Sequence, residues 1–171
     1  MSHAAITLRP AAETDCALTF KWANDPQVRA ASFHAAPIGE KEHRAWYAKS
    51  LAGARKLYVV EWREVAIGVA RLDPLPDRVA EVGITIGAEH RGRGFAIPVL
   101  EALCTLAAED HVRRLVARVR VDNPRSRHTF ERAGFRCECS DAVNGVAGFK
   151  LVRELEPDAG QRRAERSHGA A

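Results

Sequence analysis

The hexapeptide Arg91-Gly92-Arg93-Gly94-Phe95-Ala96 lies between an apolar strand pattern, Val79 to Ile86, and a helical one, Phe95 to Asp110. Along the strand, Glu81, Gly83 and Thr85 alternate with Val82, Ile84 and Ile86, so one face is apolar and the other carries a carboxylate. In the helical stretch Ile97, Leu100, Leu103, Cys104 and Ala107 recur at helical spacing, and Pro98 fits only the first turn, where a missing N–H costs nothing. Glycines at 92 and 94 permit positive φ and let backbone approach a ligand closely. The helix start beyond them offers unpaired N–H groups and the positive end of a dipole. Together they make a backbone cradle for a pyrophosphate. The stretch lacks the third glycine of a dinucleotide fingerprint and the Gly-Lys-Ser/Thr of a P-loop, and a tight turn before a helix reads the same way.

Outward from this loop the chain reads as one compact domain of short strands and helices, residues 1–156, with a polar tail from 157 to 171 expected to be disordered. Ile6 to Arg9 is a first strand and Glu13 to Trp22 a helix, stopped at Asn24-Asp25-Pro26 because Pro26 disfavours helical geometry at Asp25. A loop from Val28 to Gly39 leads to a helix over Glu40 to Leu51, with His43, Trp46, Tyr47 and Ser50 on adjoining positions of one face. Leu57 to Glu61 and Ala66 to Arg71 form a hairpin about Arg63-Glu64, and Asp73-Pro74-Leu75-Pro76-Asp77 is expected to break the ladder. Leu115 to Val121 is a strand, Pro124 to Arg132 a helix closed by Gly134, and two further strands end the domain.

The 171 residues carry 26 Lys+Arg against 22 Asp+Glu, and 46% are apolar, which excludes wholesale disorder. No apolar run approaches the roughly 18 residues of a membrane span, and no secretory leader opens the chain, so the cytoplasm is the expected compartment. Four cysteines do not make a disulfide framework at this length, and Cys137-x-Cys139 lacks a second pair at zinc-site spacing, so no metal is expected. Ten arginines and six acids fall between Ala88 and Arg136. That local cationic excess suits a phosphate-bearing ligand, and equally a solvated arginine-rich surface.

The order of strand, R-G-x-G-x-A loop, helix and strand continues into Asn123-Pro124-Arg125-Ser126 and Phe130-Glu131-Arg132-Ala133-Gly134-Phe135. With both motifs in register, residues 5 to 156 resemble the GNAT superfamily of acetyl-CoA-dependent N-acetyltransferases. The resemblance implies an α/β fold: a mixed, mainly antiparallel sheet of about seven strands, splayed in the middle and flanked by about four helices. It also implies acetyl-CoA as co-substrate. The cofactor-binding set is then Arg91 to Ala96 at the pyrophosphate, Ile84, Thr85 and Ile86 along the pantetheine, Asn123 facing the pantetheine arm and Phe130 packed beside the thioester. Asn123 reads equally as the N-cap of the helix that follows.

A softer resemblance lies in Trp22-Ala23-Asn24-Asp25-Pro26-x-Val28-Arg29, Ser32-Phe33, Pro37-Ile38, Glu42-His43 and Trp46-Tyr47. These look like acetyltransferases that modify a 4-amino group on a nucleotide-linked deoxyamino sugar, as in pseudaminic-acid pathways. That implies Asn24, Arg29, Ser32, His43 and Trp46 as acceptor-binding residues. Ribosomal-protein amino-terminal acetyltransferases share the element order, and Trp22 and Trp46 also suit ordinary core positions.

Acetyl transfer needs a neutral amine, so a carboxylate or histidine must take the proton directly or through one water. Glu81 is the leading candidate, on the strand expected to hold the acetyl end, with Glu61, His34 and His43 in reserve; an exposed ion-paired carboxylate is its bland reading. Phe130 stands where many family members have the tyrosine that protonates the leaving thiolate. Ser126, four residues earlier on the same helix face, could donate weakly, and a thiol of pKa about 8.5 also leaves unassisted. The expected partner is a small-molecule amine, with no nucleic acid and no membrane, and a homodimer is compatible. A CoA-binding module without catalysis is the rival reading. Gly94→Glu should sharply weaken coenzyme A binding measured by calorimetry, since bulk and charge both oppose the phosphates; unchanged affinity would remove the cradle reading.

Overall fold

The computed structural model describes residues 6–155, so the expected polar tail lies outside the described residues. Seven strands form one sheet: β1 (Ile6–Pro10), β2 (Lys56–Trp62), β3 (Val65–Leu75), β4 (Val79–Ile86), β5 (Arg114–Arg120), β6 (Arg136–Val143) and β7 (Val146–Glu154). Their spatial order is β1-β2-β3-β4-β5-β7-β6, and every pairing is antiparallel except β4 with β5. Five α-helices accompany them, one more than expected: α1 (Cys16–Ala23), α2 (Pro26–Ala31), α3 (Glu40–Ala52), α4 (Ala96–Glu109) and α5 (Pro124–Arg132).

α4 organises the core. Val99, Leu100, Leu103 and Ala107 are fully buried against the apolar face of the sheet, where Tyr58, Val60, Leu72, Val82, Leu115, Ala117 and Leu151 meet them. Removing such side chains from water is the main stabilising term here. The opposite face carries Arg71, Asp73, Glu81, Gly83 and Thr85, because Arg71 pairs with Gly83, Asp73 with Glu81 and Val69 with Thr85 in register. A smaller core of Trp22, Tyr47, Leu57 and Val59 lies apart from the α4 cluster.

Two expectations are corrected. The segment 28–39 is not all loop: Pro26 ends α1 and also starts α2, since Asp25 is extended (ψ 132) and its carboxylate caps the N–H groups of Gln27 and Val28 at 3.0 and 3.2 Å. Proline is preorganised for a first helical position, so one residue both stops and nucleates. The ladder also runs through Asp73-Pro74-Leu75, which pair with Glu81, Ala80 and Val79. β2 ends its pairing at Leu72, so beyond it β3 has a free edge where a residue without an N–H is tolerated.

The sheet divides at its parallel joint. β4 and β5 share only three pairs, Val79↔Arg114, Ala80↔Leu115 and Glu81↔Val116, and then part. A loop after α2 crosses to the far half: Arg120 Nη1 donates to the Ser32 carbonyl at 3.1 Å, and Phe33 lies over Gly148, where a Cβ would stand 2.7 Å from the ring. Gly148→Ala should cost about 1–3 kcal/mol, read as a lowered urea midpoint, because the Val119 carbonyl at 2.9 Å cannot yield as a side chain can.

Candidate active site

The phase of the β3–β4 ladder determines what faces the opening. The Gly87 N–H donates to the Ile67 carbonyl at 2.8 Å, so the next pair in register, Gly68↔Ile86, is a non-hydrogen-bonded one. Ile84 and Ile86 therefore turn their backbone N–H and C=O groups away from β3 and toward the gap. A cleft of about 1290 Å³ passes through this opening from the Gly92–Gly94 loop to the walls formed by α1, α2 and α3.

At the loop end, Gly92 and Gly94 adopt φ of +77° and +82°, with open space where a Cβ would stand. α4 begins with no side-chain cap, whereas Asp25 caps α2 and Asn123 caps α5. The first-turn N–H groups of α4 at Ala96 and Ile97 thus border the cleft without a capping side chain, an arrangement that suits an anion. Phe95 lines the cleft but is buried, its ring 5.3 Å from that of Trp62. Arg93 is exposed and does not line the cleft.

The Arg91 side chain does not present itself as a phosphate ligand. Its Nε donates to the Ile86 carbonyl at 2.9 Å, its Nη1 to Gln27 Oε1 at 2.9 Å, and its Nη2 stands 2.8 Å from the Asp25 carboxylate. Asn123 borders the cleft while its Oδ1 accepts from the Ser126 N–H at 3.1 Å, so it is an N-cap in position beside the opening. Ser126 and Phe130 line the same wall, and Phe130 is held edge-on against Phe135 at 5.1 Å. Arg125 and Arg132 also border this end without an ion pair among the described residues. Sequence reading missed them as individuals, although Arg132 falls within the second motif.

At the other end Glu81 lines the cleft and is ion-paired to Arg118, which also binds Asp141 at 2.9 Å. Arg118 crosses from β5 to β4 just beyond the last ladder pair, a role no spacing in the sequence announces. The Ala142 N–H and Arg118 hold Asp141 below the usual carboxylate range. Arg71 forms a neighbouring pair with Asp73, which Arg55 also binds.

His43 is 2% exposed and packed among Phe20, Trp46 and Tyr47 at ring distances of 5.3, 5.5 and 5.8 Å. Burial pushes its pKa below the ordinary value, so the ring is neutral near pH 7, and its Nε2 has no hydrogen-bond partner. Trp46 is 38% exposed on the cleft wall with Arg55 stacked 5.2 Å from its ring, which corrects the core reading for it; Trp22, 4% exposed, is a core residue.

Three residues expected to contact an acceptor are spent internally. Asn24 does not line the cleft: its amide pairs with the Ile38 backbone at 3.0 and 2.8 Å, anchoring the loop before α3. Arg29 lines the cleft but donates to the carbonyls of Ala23 and His34 at 2.6 and 2.9 Å and to Ser32 Oγ at 3.0 Å. Ser32 in turn donates to Val28 O at 2.6 Å. Of the reserve bases, His34 is exposed and outside the cleft lining, and Glu61 is paired to Arg9 at 2.9 Å. Among the described residues all four cysteines are free thiols, no cluster of three or more His, Cys, Asp or Glu could hold a metal, and no helix is long and apolar enough to cross a membrane.

Comparison with known proteins bears on the same architecture. The ribosomal-protein-serine acetyltransferase of Escherichia coli strain K12 is 34% identical over 90 residues, spanning 50% of this chain and 50% of that protein, so the match covers half the length of that relative. A spermidine N-acetyltransferase from Vibrio cholerae, in complex with CoA and spermine, superimposes with a TM-score of 0.79 at 24% identity, covering 88% of this chain and 95% of that one. The aminoglycoside acetyltransferase AAC(6')-Ib, in complex with coenzyme A and kanamycin, gives a TM-score of 0.78 at 18% identity, covering 94% and 99%. These likenesses establish the fold. Residues 5–136 match the acetyltransferase (GNAT) domain, a span that contains the split joint, the glycine loop and α5, and the chain therefore belongs to the GNAT acetyltransferase family.

Proposed function

We propose that this chain transfers the acetyl group of acetyl-CoA to a primary amine of a small molecule, both bound in the cleft at once. One observation carries the reading: the uncapped start of α4 with its two positive-φ glycines and the open amides of Ile84 and Ile86 border a single cleft. An anion site and an unfilled strand position in line suit a ligand with a diphosphate at one end and an amide-bearing arm. Acetyl-CoA supplies an acetyl group already activated as a thioester.

The residues then divide the work. Backbone N–H groups from Gly92 to Ile97 hold the pyrophosphate, and Ile84 and Ile86 pair with the pantetheine amides as one more strand would. The Ile86 carbonyl is taken by Arg91, which leaves the Ile86 N–H to polarise the acetyl carbonyl. Glu81 accepts the proton of the acceptor ammonium through a water, which frees the amine to attack; the ion pair with Arg118 aims this carboxylate. Phe130 packs beside the thioester, Ser126 offers a weak proton, and a thiol of pKa about 8.5 departs tolerably as an anion.

The acceptor side supports a small amine, because the Ser32–Phe33 strap bound to Arg120 and Gly148 walls it laterally. A second reading, acetylation of a protein amino terminus, is favoured by the half-length similarity to the ribosomal-protein-serine acetyltransferase. Asn24, Arg29 and Ser32, three of the five acceptor-binding residues that the amino-sugar resemblance implies, are spent on internal bonds, so a nucleotide-linked amino sugar is one arm of the test. Thiol release from acetyl-CoA should occur with members of a panel of small amines; turnover confined to peptide amino termini would move the assignment to the protein-acetylating reading.

Glu81→Gln should keep coenzyme A affinity and lower kcat/KM by about 10²- to 10⁴-fold, the usual range for losing a general base. Raising the pH should partly restore the rate, since more amine arrives neutral. If Glu81→Gln is unimpaired and His43→Gln abolishes an acidic limb lying below the ordinary histidine pKa, the base is His43.

A further inference from the structure

We propose that Arg91 is a positioning residue that couples the two ends of the cleft, transmitting occupancy of the glycine loop to α2, the wall of the acceptor side. The proposal rests on the coenzyme A reading above and adds to it a link between the sites.

Two guanidinium nitrogens of Arg91 donate hydrogen bonds, to the Ile86 carbonyl that ends β4 and to Gln27 of α2, each at 2.9 Å, while Nη2 has no hydrogen-bond partner but is ion-paired at 2.8 Å with Asp25, the cap of α2; none of these partners lies in the glycine loop. The ion pair is largely shielded, with side chains 18% and 19% exposed, so water screens it less than a surface pair. The Asp25 oxygen that faces Arg91 is also the cap of α2, accepting from the Gln27 and Val28 N–H groups. Arg91 therefore grips the N-terminal turn of that helix through its cap.

Arg91 joins the two ends directly, alongside the outer Lys21–Glu89 pair and the Trp22–Gly87 contact, which reach α1 rather than the cap of α2. Its backbone is extended (φ −67°, ψ 155°) and leads directly into Gly92, so a shift of the loop displaces the Arg91 Cα. Downstream, Val28, Arg29 and Ser32 line the acceptor half, and Ser32 and Phe33 carry the strap to Arg120 and Gly148. A rigid helix gripped at its cap and tied at its far end moves as a unit, and it has no side-chain contact with the loop except through this arginine among the bonds described. Holding the loop in one conformation therefore holds the wall. By reciprocity of linked equilibria, an acceptor that orders the wall tightens coenzyme A by the same factor.

Hydrogen exchange of the full chain with coenzyme A as the only probe tests this without knowledge of the acceptor. In the wild type, coenzyme A should slow amide exchange over residues 91–97 and also over 26–33, the latter by about fivefold or more, the lower range of measured couplings. In Arg91→Met, and in Asp25→Asn, which keeps an acceptor oxygen for the cap, the response over 91–97 should persist with affinity of the same order while the response over 26–33 disappears. A merely structural brace would instead speed exchange over 26–33 in both variants with and without ligand, leaving the ligand-induced ratio unchanged; that result overturns the coupling. So does a large loss of affinity in Arg91→Met but not in Asp25→Asn, which would make Arg91 a phosphate ligand, and so does a wild type whose 26–33 amides ignore coenzyme A. If the wild type fails to bind coenzyme A at all, the functional reading falls first and the coupling with it.

Discussion

Backbone amides need partners, and a sheet that stops pairing in its middle leaves a row of them facing nothing of their own. β4 and β5 meet for three residue pairs and then diverge, while β3 goes on pairing with β4 and β7 with β5. Each strand is thus satisfied along one edge and open along the other. In the proposed reading an extended ligand with its own amide groups completes the ladder. One hydrophobic cluster underlies both halves of the split, joining Val99, Leu100, Leu103 and Ala107 of α4 to Val82 on one side and Leu115, Ala117 and Leu151 on the other.

Polar contacts then act on geometry more than on stability. The pair Glu81–Arg118 spans the opening just past the last ladder bond, and Arg118 extends the chain to Asp141 on β6. Exposed and half-exposed ion pairs contribute about 1 kcal/mol or less each, whereas truncating a buried leucine costs about 2–5 kcal/mol. What the pairs contribute is direction: the Glu81 carboxylate is held on the cleft wall where the two halves of the sheet part.

Helix capping distinguishes the start of α4 from those of α2 and α5. Asp25 and Asn123 close α2 and α5 on their own N–H groups, each followed by a proline at the first helical position. α4 follows two glycines and has no cap. A helix start without a side-chain partner remains available to an external anion, and the glycines remove the Cβ atoms that would stand in its way.

Much of this was legible in residue order. The period of the pattern from 79 to 110, the two glycines and the asparagine–proline start of α5 are local signals, because strand alternation, helix spacing, positive φ and capping each depend on a few neighbouring residues. Misreadings arose where one residue type serves two local purposes: Pro26 stops one helix and starts another, and Pro74 sits in a strand because its partner on one side has already ended. The occupation of side chains was not legible at all. Arg91, Asn24 and Arg29 had the right chemistry to bind ligands, yet their partners lie 3 to 66 residues away and were revealed only when α2, the loop before α3 and the end of β4 were brought together. Local sequence therefore determined the glycine loop and the uncapped helix start, since backbone geometry is a short-range property. Tertiary structure alone decided which charged groups remain free for chemistry, because a charge is spent by whatever the fold places within hydrogen-bond reach.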